Sequence, residues 1–173
     1  MKEKTLKNIQ EKIDWAERSF TKINTNYVAK IELKDSLWSF LASFQQVLNY
    51  TRRYIRDNSY AHKNNKKVEV INKFNKWKKE NLFDEEKIYF DILIQLRTTN
   101  EHNETVTPNF EIKTHYISDG RGGFLSDGRG NILMTQKLDY FIKFKSDEYQ
   151  LKKLLEVGVQ SLKKIYSSLD QGM

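Results

Sequence analysis

Apolar residues recur every three or four positions along four stretches of the first hundred residues, which is the spacing of one α-helix face. The fourth stretch is apolar on two faces, because Phe90 and Ile94 project almost opposite to the face that holds Ile88. Such a helix is usually buried on both faces, so we expect a second subunit to cover Phe90 and Ile94. The predicted helices extend from about Thr5 to Asn24, Asp35 to Asp57, Lys67 to Lys79, and Glu85 to His102.

Short polar side chains stand at two of the predicted helix starts. Thr5 and Asp84 are the expected N-caps of the first and fourth helices. On the third helix the residues expected to face inward are Val70, Ile71, Phe74 and Trp77.

The pattern changes to period two after Pro108, which predicts half-buried strands at Phe110–Tyr116 and Leu138–Phe144 and a possible third at Ile132–Thr135. Between the first two, Ser-Asp-Gly-Arg-Gly occurs twice, at 118–122 and 126–130, and Asp-Gly favours turns. Two interpretations stay open: ordinary turns, or turns whose backbone N–H groups bind phosphate beside Arg121 and Arg129.

A final helix is predicted over about Asp147–Leu169, with Gly158 on its apolar stripe, where a neighbouring element could approach closely. Together these patterns predict a mainly α fold, a bundle of about five helices with a small antiparallel β element before the last helix. We expect one domain over 1–173, with a helical bundle at 1–106, a β insertion at 107–145, and a C-terminal helix at 146–173 that packs on the bundle.

Charge is concentrated in one part of the chain. The net charge is +7, and residues 52–79 hold ten Lys and Arg against only Asp57 and Glu69. A surface of this kind attracts polyanions, although a merely solvated face is the alternative. The residues expected to bind nucleic acid are Arg52, Arg53, Arg56, Lys63, Lys66, Lys67, Lys73 and Lys76.

The composition excludes several kinds of site. Without cysteine there is no disulfide and no thiolate metal ligand. His62, His102 and His115 are far apart and nucleotide-binding glycine motifs are absent, so we expect neither a metal nor a cofactor. The charged N-terminal segment and the short apolar runs favour a cytoplasmic protein without a signal peptide or a membrane span.

One pair of residues suggests chemistry, Arg97 and His102 in Leu-Arg-Thr-Thr-Asn-Glu-His. Arginine is suited to bind phosphate, and histidine can move a proton near neutral pH, as metal-independent RNA cleavage requires. On an ideal helix the two positions differ by about 140°, so they converge only if the helix ends near Thr99 or two subunits combine. The alternative is that Arg97 pairs with Glu101 and that His102 is stabilised by the helix C-terminus.

This segment, with the aromatic helices before it, resembles the Arg-x4–6-His signature of HEPN domains over about residues 30–105. The resemblance implies a dimeric, metal-independent endoribonuclease in which Arg97 contacts phosphate and His102 is the acid/base. Thr98, Asn100 and Glu101 would orient them. The sequence departs from the family pattern at Thr98, because active members usually have Asn, Asp or His directly after the arginine. Arg56 and His62 also match the spacing and are a rival pair.

Two functional hypotheses follow. The first is a HEPN-like ribonuclease that acts as a homodimer. The second is a non-catalytic module of a defence or toxin–antitoxin system that binds RNA or an antitoxin-like protein partner through the basic surface or the β element.

Overall fold

The computed structural model describes residues 2–24, 30–59, 66–101 and 109–171. Over these residues the predicted fold class is confirmed, since five helices form the chain with an antiparallel sheet before the last of them. In order the elements are α1 Lys2–Asn24, α2 Lys30–Asp57, α3 Lys66–Asn81, α4 Asp84–Glu101, β1 Asn109–Tyr116, β2 Met134–Phe144, β3 Asp147–Gln150 and α5 Leu151–Asp170.

The starts of three helices differ from the prediction. Because α1 begins at Lys2, Thr5 lies inside this helix and is not its N-cap. The second helix, α2, begins at Lys30, before the predicted start at about Asp35. Asp84 is likewise the first residue of α4 and not its cap. The backbone N–H of Phe83 donates to the carboxylate of Glu86 at 2.8 Å, which is how a glutamate in the first turn satisfies the N–H of the capping position.

Two predictions near the sheet are wrong. Residues 147–150 were predicted as the start of the last helix but form β3. No separate strand forms at 132–135, because β2 already begins at Met134. A tight turn explains the first error. Phe144 pairs with Asp147 across Lys145, which has a φ of 57°. Ser146 and Asp147 lie at this turn, and Ser and Asp favour turns as well as helix starts.

The described chain divides into two compact units, residues 1–106 with 152–173, and residues 107–151. In the helical unit, fully buried Phe90 of α4 packs edge-on against Phe44 of α2, with ring centroids 5.3 Å apart. Phe74 and Trp77 of α3 each lie 6.2 Å from the same ring. The expectation that a second subunit covers Phe90 is therefore wrong, because residues of its own chain do so.

Two isoleucines expected to be buried are not. Ile71 is 49% exposed and Ile88 is 55% exposed. On α3 the buried residues are Val70, Phe74 and Trp77, and a stripe with this spacing turns Ile71 toward solvent.

Gly158 brings α5 close to two other helices. A Cβ atom at this position would lie 2.7 Å from Cδ1 of Leu93 and 2.9 Å from Cζ of Phe40. The prediction of a close approach at Gly158 is confirmed, and a larger side chain would displace core residues of both α2 and α4.

The β unit is a three-stranded antiparallel sheet with the order β1-β2-β3. Between β1 and β2, residues 117, 125 and 133 form a closed ring of backbone hydrogen bonds. The N–H of Ile117 donates to the carbonyl of Leu133 (3.0 Å), that of Leu133 to Leu125 (2.7 Å), and that of Leu125 to Ile117 (2.8 Å). The eight-residue repeat of the two Ser-Asp-Gly-Arg-Gly turns thus reflects a repeated backbone geometry.

Candidate nucleic-acid interface

A groove of about 1120 Å³ lies between α2 and α3. Each helix contributes one stripe, because residues three and four positions apart share a helix face. The stripe on α2 consists of Asn49, Arg52, Arg53, Arg56 and Asp57, and that on α3 of Lys66, Lys67, Val70, Ile71, Phe74 and Asn75. We call this feature the α2/α3 groove.

Positive charge exceeds negative charge in the α2/α3 groove. Its five cations and one carboxylate leave a net charge of +4. Asp57 is shared, with its two oxygens 3.6 Å from Nε of Arg53 and 3.4 Å from Nε of Arg56. Over the described residues, Arg52 and Lys67 form no ion pair with a carboxylate, so their charges are available to a ligand.

The floor of the groove is apolar. Val70 and Phe74 are buried, and Ile71 presents its exposed half to the groove. The guanidinium of Arg52 lies over the ring of Phe74, 5.6 Å from the centroid. This cation–π contact holds Arg52 against the groove wall.

A polar contact ties α3 to the end of α2. The hydroxyl of Ser59 donates to a carboxylate oxygen of Glu69, whose other oxygen is 3.2 Å from Nζ of Lys73. The hydrogen bond from Ser59, followed by that from Lys73, lowers the pKa of Glu69 below its ordinary value. Glu69 thus contacts both Ser59, which follows α2, and Lys73 of its own helix.

The structure gathers five of the eight residues predicted to bind nucleic acid, Arg52, Arg53, Arg56, Lys66 and Lys67. Lys73 and Lys76 instead line a separate, shallower depression with Trp77 and Ser168, and each is paired with a glutamate. Lys63 lies outside the described residues. The apolar floor was not predicted from the sequence. Its signal was present, because Val70 and Phe74 have the spacing that places them on the same face of α3 as Lys66 and Lys67.

The end of α4 gives less support to a catalytic pair. Arg97 is half-buried, and the hydroxyl of exposed Thr98 donates to the backbone carbonyl of Ile94 at 3.1 Å. Because α4 continues to Glu101, the helix does not end near Thr99, which was one of the two ways to bring Arg97 and His102 together. His102 lies outside the described residues, as do the side chains of Asn100 and Glu101 and the rival His62.

In each of the two turns an aspartate side chain already accepts two of the backbone N–H groups that the phosphate-binding interpretation requires. Oδ1 of Asp119 accepts from the N–H groups of Arg121 (2.8 Å) and Gly123 (2.9 Å). Oδ1 of Asp127 accepts in the same way from Arg129 (2.8 Å) and Asn131 (2.9 Å). Hydrogen bonds from the side chain and N–H of Asn131, then from the N–H of Arg129, lower the pKa of Asp127.

Within the ranges that the structure describes, no three His, Asp or Glu residues are grouped closely enough to hold a metal ion. In the same ranges no helix is long and apolar enough to cross a membrane. Comparison of the chain with family models, curated proteins and solved structures finds no match.

Proposed function

We propose that this chain is a non-catalytic RNA-binding module and that the α2/α3 groove is its binding surface. The observation that carries the proposal is the convergence of five predicted phosphate-binding side chains on one groove with a single carboxylate. By contrast, Lys73 and Lys76 lie outside the groove lining, and each pairs with a glutamate.

The chemistry of the groove fits binding better than cleavage. Its described lining consists of Arg, Lys, Asn, Asp and apolar side chains, and none of these commonly moves protons near neutral pH. Arg and Lys neutralise phosphates and release counterions, which is the main source of affinity for RNA backbones. The HEPN-like ribonuclease hypothesis, with a homodimer that combines Arg97 and His102, remains a competing prediction.

The test is fluorescence anisotropy of a labelled, mixed-sequence RNA titrated with the protein at several salt concentrations. A net charge of +4 in the groove predicts that the logarithm of the association constant falls with the logarithm of salt with a slope of about −3. The double variant Arg52→Gln with Lys67→Gln removes two of the five cations and leaves shorter, neutral polar side chains in their place. We expect it to bind about tenfold more weakly, with a slope shallower by about 1.4.

The matched control is Lys76→Gln with Lys79→Gln, which removes the same charge from two exposed lysines of α3 that do not line the groove. An equal loss in both double variants would mean that only total charge matters and would overturn the groove assignment. RNA cleavage in EDTA by the wild type, abolished by His102→Ala in a folded protein, would replace the proposal with the ribonuclease hypothesis.

A further inference from the structure

The α2/α3 groove combines a row of arginines on α2 with a stripe on α3 that begins with two lysines and continues with apolar side chains. The apolar side chains are those of Val70, Phe74 and Ile71, and Ile71 is 49% exposed. Phosphates alone have no favourable interaction with such a floor, because they would lose hydration without gaining a partner. A ligand that fits the whole groove needs apolar surface as well as negative charge.

From this combination we infer that the groove binds single-stranded RNA, with bases on the apolar floor and phosphates at the arginines and lysines. The inference rests on the proposed function and names its substrate class. A duplex keeps its bases stacked inside and presents mainly sugars and phosphates to a protein. A single strand exposes base faces, and these stack on aromatic side chains and on arginine with little regard to sequence.

Arg52 has the position for one such contact. Its Cζ atom lies over the ring of Phe74, 5.6 Å from the centroid, and the residue is exposed. Guanidinium planes are platforms on which unpaired bases stack, so exposed Arg52 can hold a base beside Phe74. The same side chain then contributes charge and stacking together.

The length of the groove sets the size of the bound segment. Along α2 its lining extends from Asn49 to Asp57, which is about 12 Å at 1.5 Å per residue. At about 3.4 Å per stacked nucleotide this corresponds to roughly three or four nucleotide steps. We therefore expect short unpaired segments to occupy the groove fully.

The test compares a labelled 12-nucleotide RNA with its fully paired duplex, using the wild type and two serine variants. Ile71→Ser removes the exposed part of the floor. Val68→Ser is the control, because Val68 is also exposed on α3 (58%) and does not line the groove. We expect the wild type to bind the single strand about tenfold more tightly than the duplex. Ile71→Ser should lose most of this preference while its duplex affinity stays unchanged, and Val68→Ser should behave as the wild type does.

Equal affinity for both RNAs, with losses in the Arg52/Lys67 variant, would overturn the single-strand inference and leave the RNA-binding function intact. Absence of salt-dependent binding to either RNA would overturn both. A polyglutamate peptide whose charge matches that of the RNA is added as a competitor of the labelled single strand. Displacement of RNA by this peptide as efficient as that by unlabelled single strand would show recognition of charge alone and would also contradict the inference.

Discussion

Two regions of the helical unit use the same residue types differently. One comprises the contacts of α4 with α3 and α5, where the charges are paired, and the other is the α2/α3 groove, where cations are in excess. At the α4 contacts, lysines meet carboxylates: Lys164 lies 2.9 Å from Glu86, and Lys78 lies 2.7 Å from Asp91. Along the described lining of the groove, five cations accompany one carboxylate, Asp57, which pairs with Arg53 and Arg56. Lysine or arginine on a helix is therefore uninformative by itself, and the balance with nearby carboxylates separates a structural contact from a binding surface.

This difference implies that stability and binding can be changed separately. Residues that bring α4, α3 and α5 together should affect the free energy of unfolding and leave RNA affinity unchanged. Residues in the groove should do the reverse. The following changes test that separation, in order of decreasing expected effect.

Gly158→Leu should have the largest effect, because Leu93 and Phe40 leave no room for a side chain on this face of α5. We expect overpacking to lower the free energy of unfolding by about 3 kcal/mol, measured by chemical denaturation. Gln160→Leu places the same side chain at an exposed position of α5 and should change stability little. A Gly158→Leu protein as stable as the Gln160→Leu control would show that α5 does not pack closely at this point.

Glu86→Gln should produce a smaller, pH-dependent loss. Burial raises the pKa of Glu86, but hydrogen bonds from Lys164 and the Phe83 N–H, with the charge of Lys164, outweigh it and hold the pKa below its ordinary value of 4.5. A carboxylate with a lowered pKa stabilises the fold above its unfolded pKa, and this contribution disappears as the pH falls through the folded pKa. We expect a loss of about 1–2 kcal/mol at pH 7 that shrinks below pH 4.5.

Denaturation of both proteins at pH 7 and pH 3 measures this difference. Glu85→Gln is the matched control, since Glu85 also pairs with a lysine of α5, Lys153, but is largely exposed. Its effect should be smaller at both pH values. A loss for Glu86→Gln that is the same at pH 3 as at pH 7 would contradict the role of the ionised carboxylate.

Asp57→Asn should change binding and not stability. Among the described lining residues, the substitution removes the one carboxylate and releases Arg53 and Arg56. RNA affinity at low salt should rise about threefold to fivefold, because the loss of one negative charge raises the net positive charge that faces the phosphates. Asp91→Asn is the control at the α3–α4 contact, where it should reduce stability and leave affinity unchanged. Equal gains in affinity would show that the groove has no special part in binding.

Asp127→Ala should have the smallest effect, confined to one turn of the β unit. Loss of its carboxylate leaves the N–H groups of Arg129 and Asn131 without their acceptor. Hydrogen exchange of these two amides should accelerate, while those of Arg121 and Gly123 in the sister turn stay as they are. A change of RNA affinity beyond twofold would show that the turns take part in binding.

Much of the helical fold was predictable because it depends on local periodicity. The stripe on α2 that brings Arg52, Arg53 and Arg56 to one face follows from their spacing. On α3, Lys67 and Lys76 are nine positions apart and so lie on opposite sides of the helix at 100° per residue. The sequence thus already separated these two lysines, but only packing showed which side faces the groove.

The remaining features depend on contacts distant in sequence or on turn geometry. The burial of Phe90 required the positions of Phe44, Phe74 and Trp77 on two other helices. β3 was mistaken for a helix start because Ser146 and Asp147 suit both a helix cap and a turn. Nor does Asp-Gly alone reveal that Asp119 and Asp127 accept the N–H groups a phosphate would need.

Ultraviolet cross-linking of the wild-type protein to single-stranded RNA, with the sites located by mass spectrometry, shows directly whether RNA binds in the α2/α3 groove. We predict that cross-links concentrate on residues 49–57 and 66–75 and disappear in the Arg52→Gln, Lys67→Gln variant. Cross-links concentrated at 97–102, with none in the groove, would contradict binding in the groove and favour the Arg97 and His102 hypothesis.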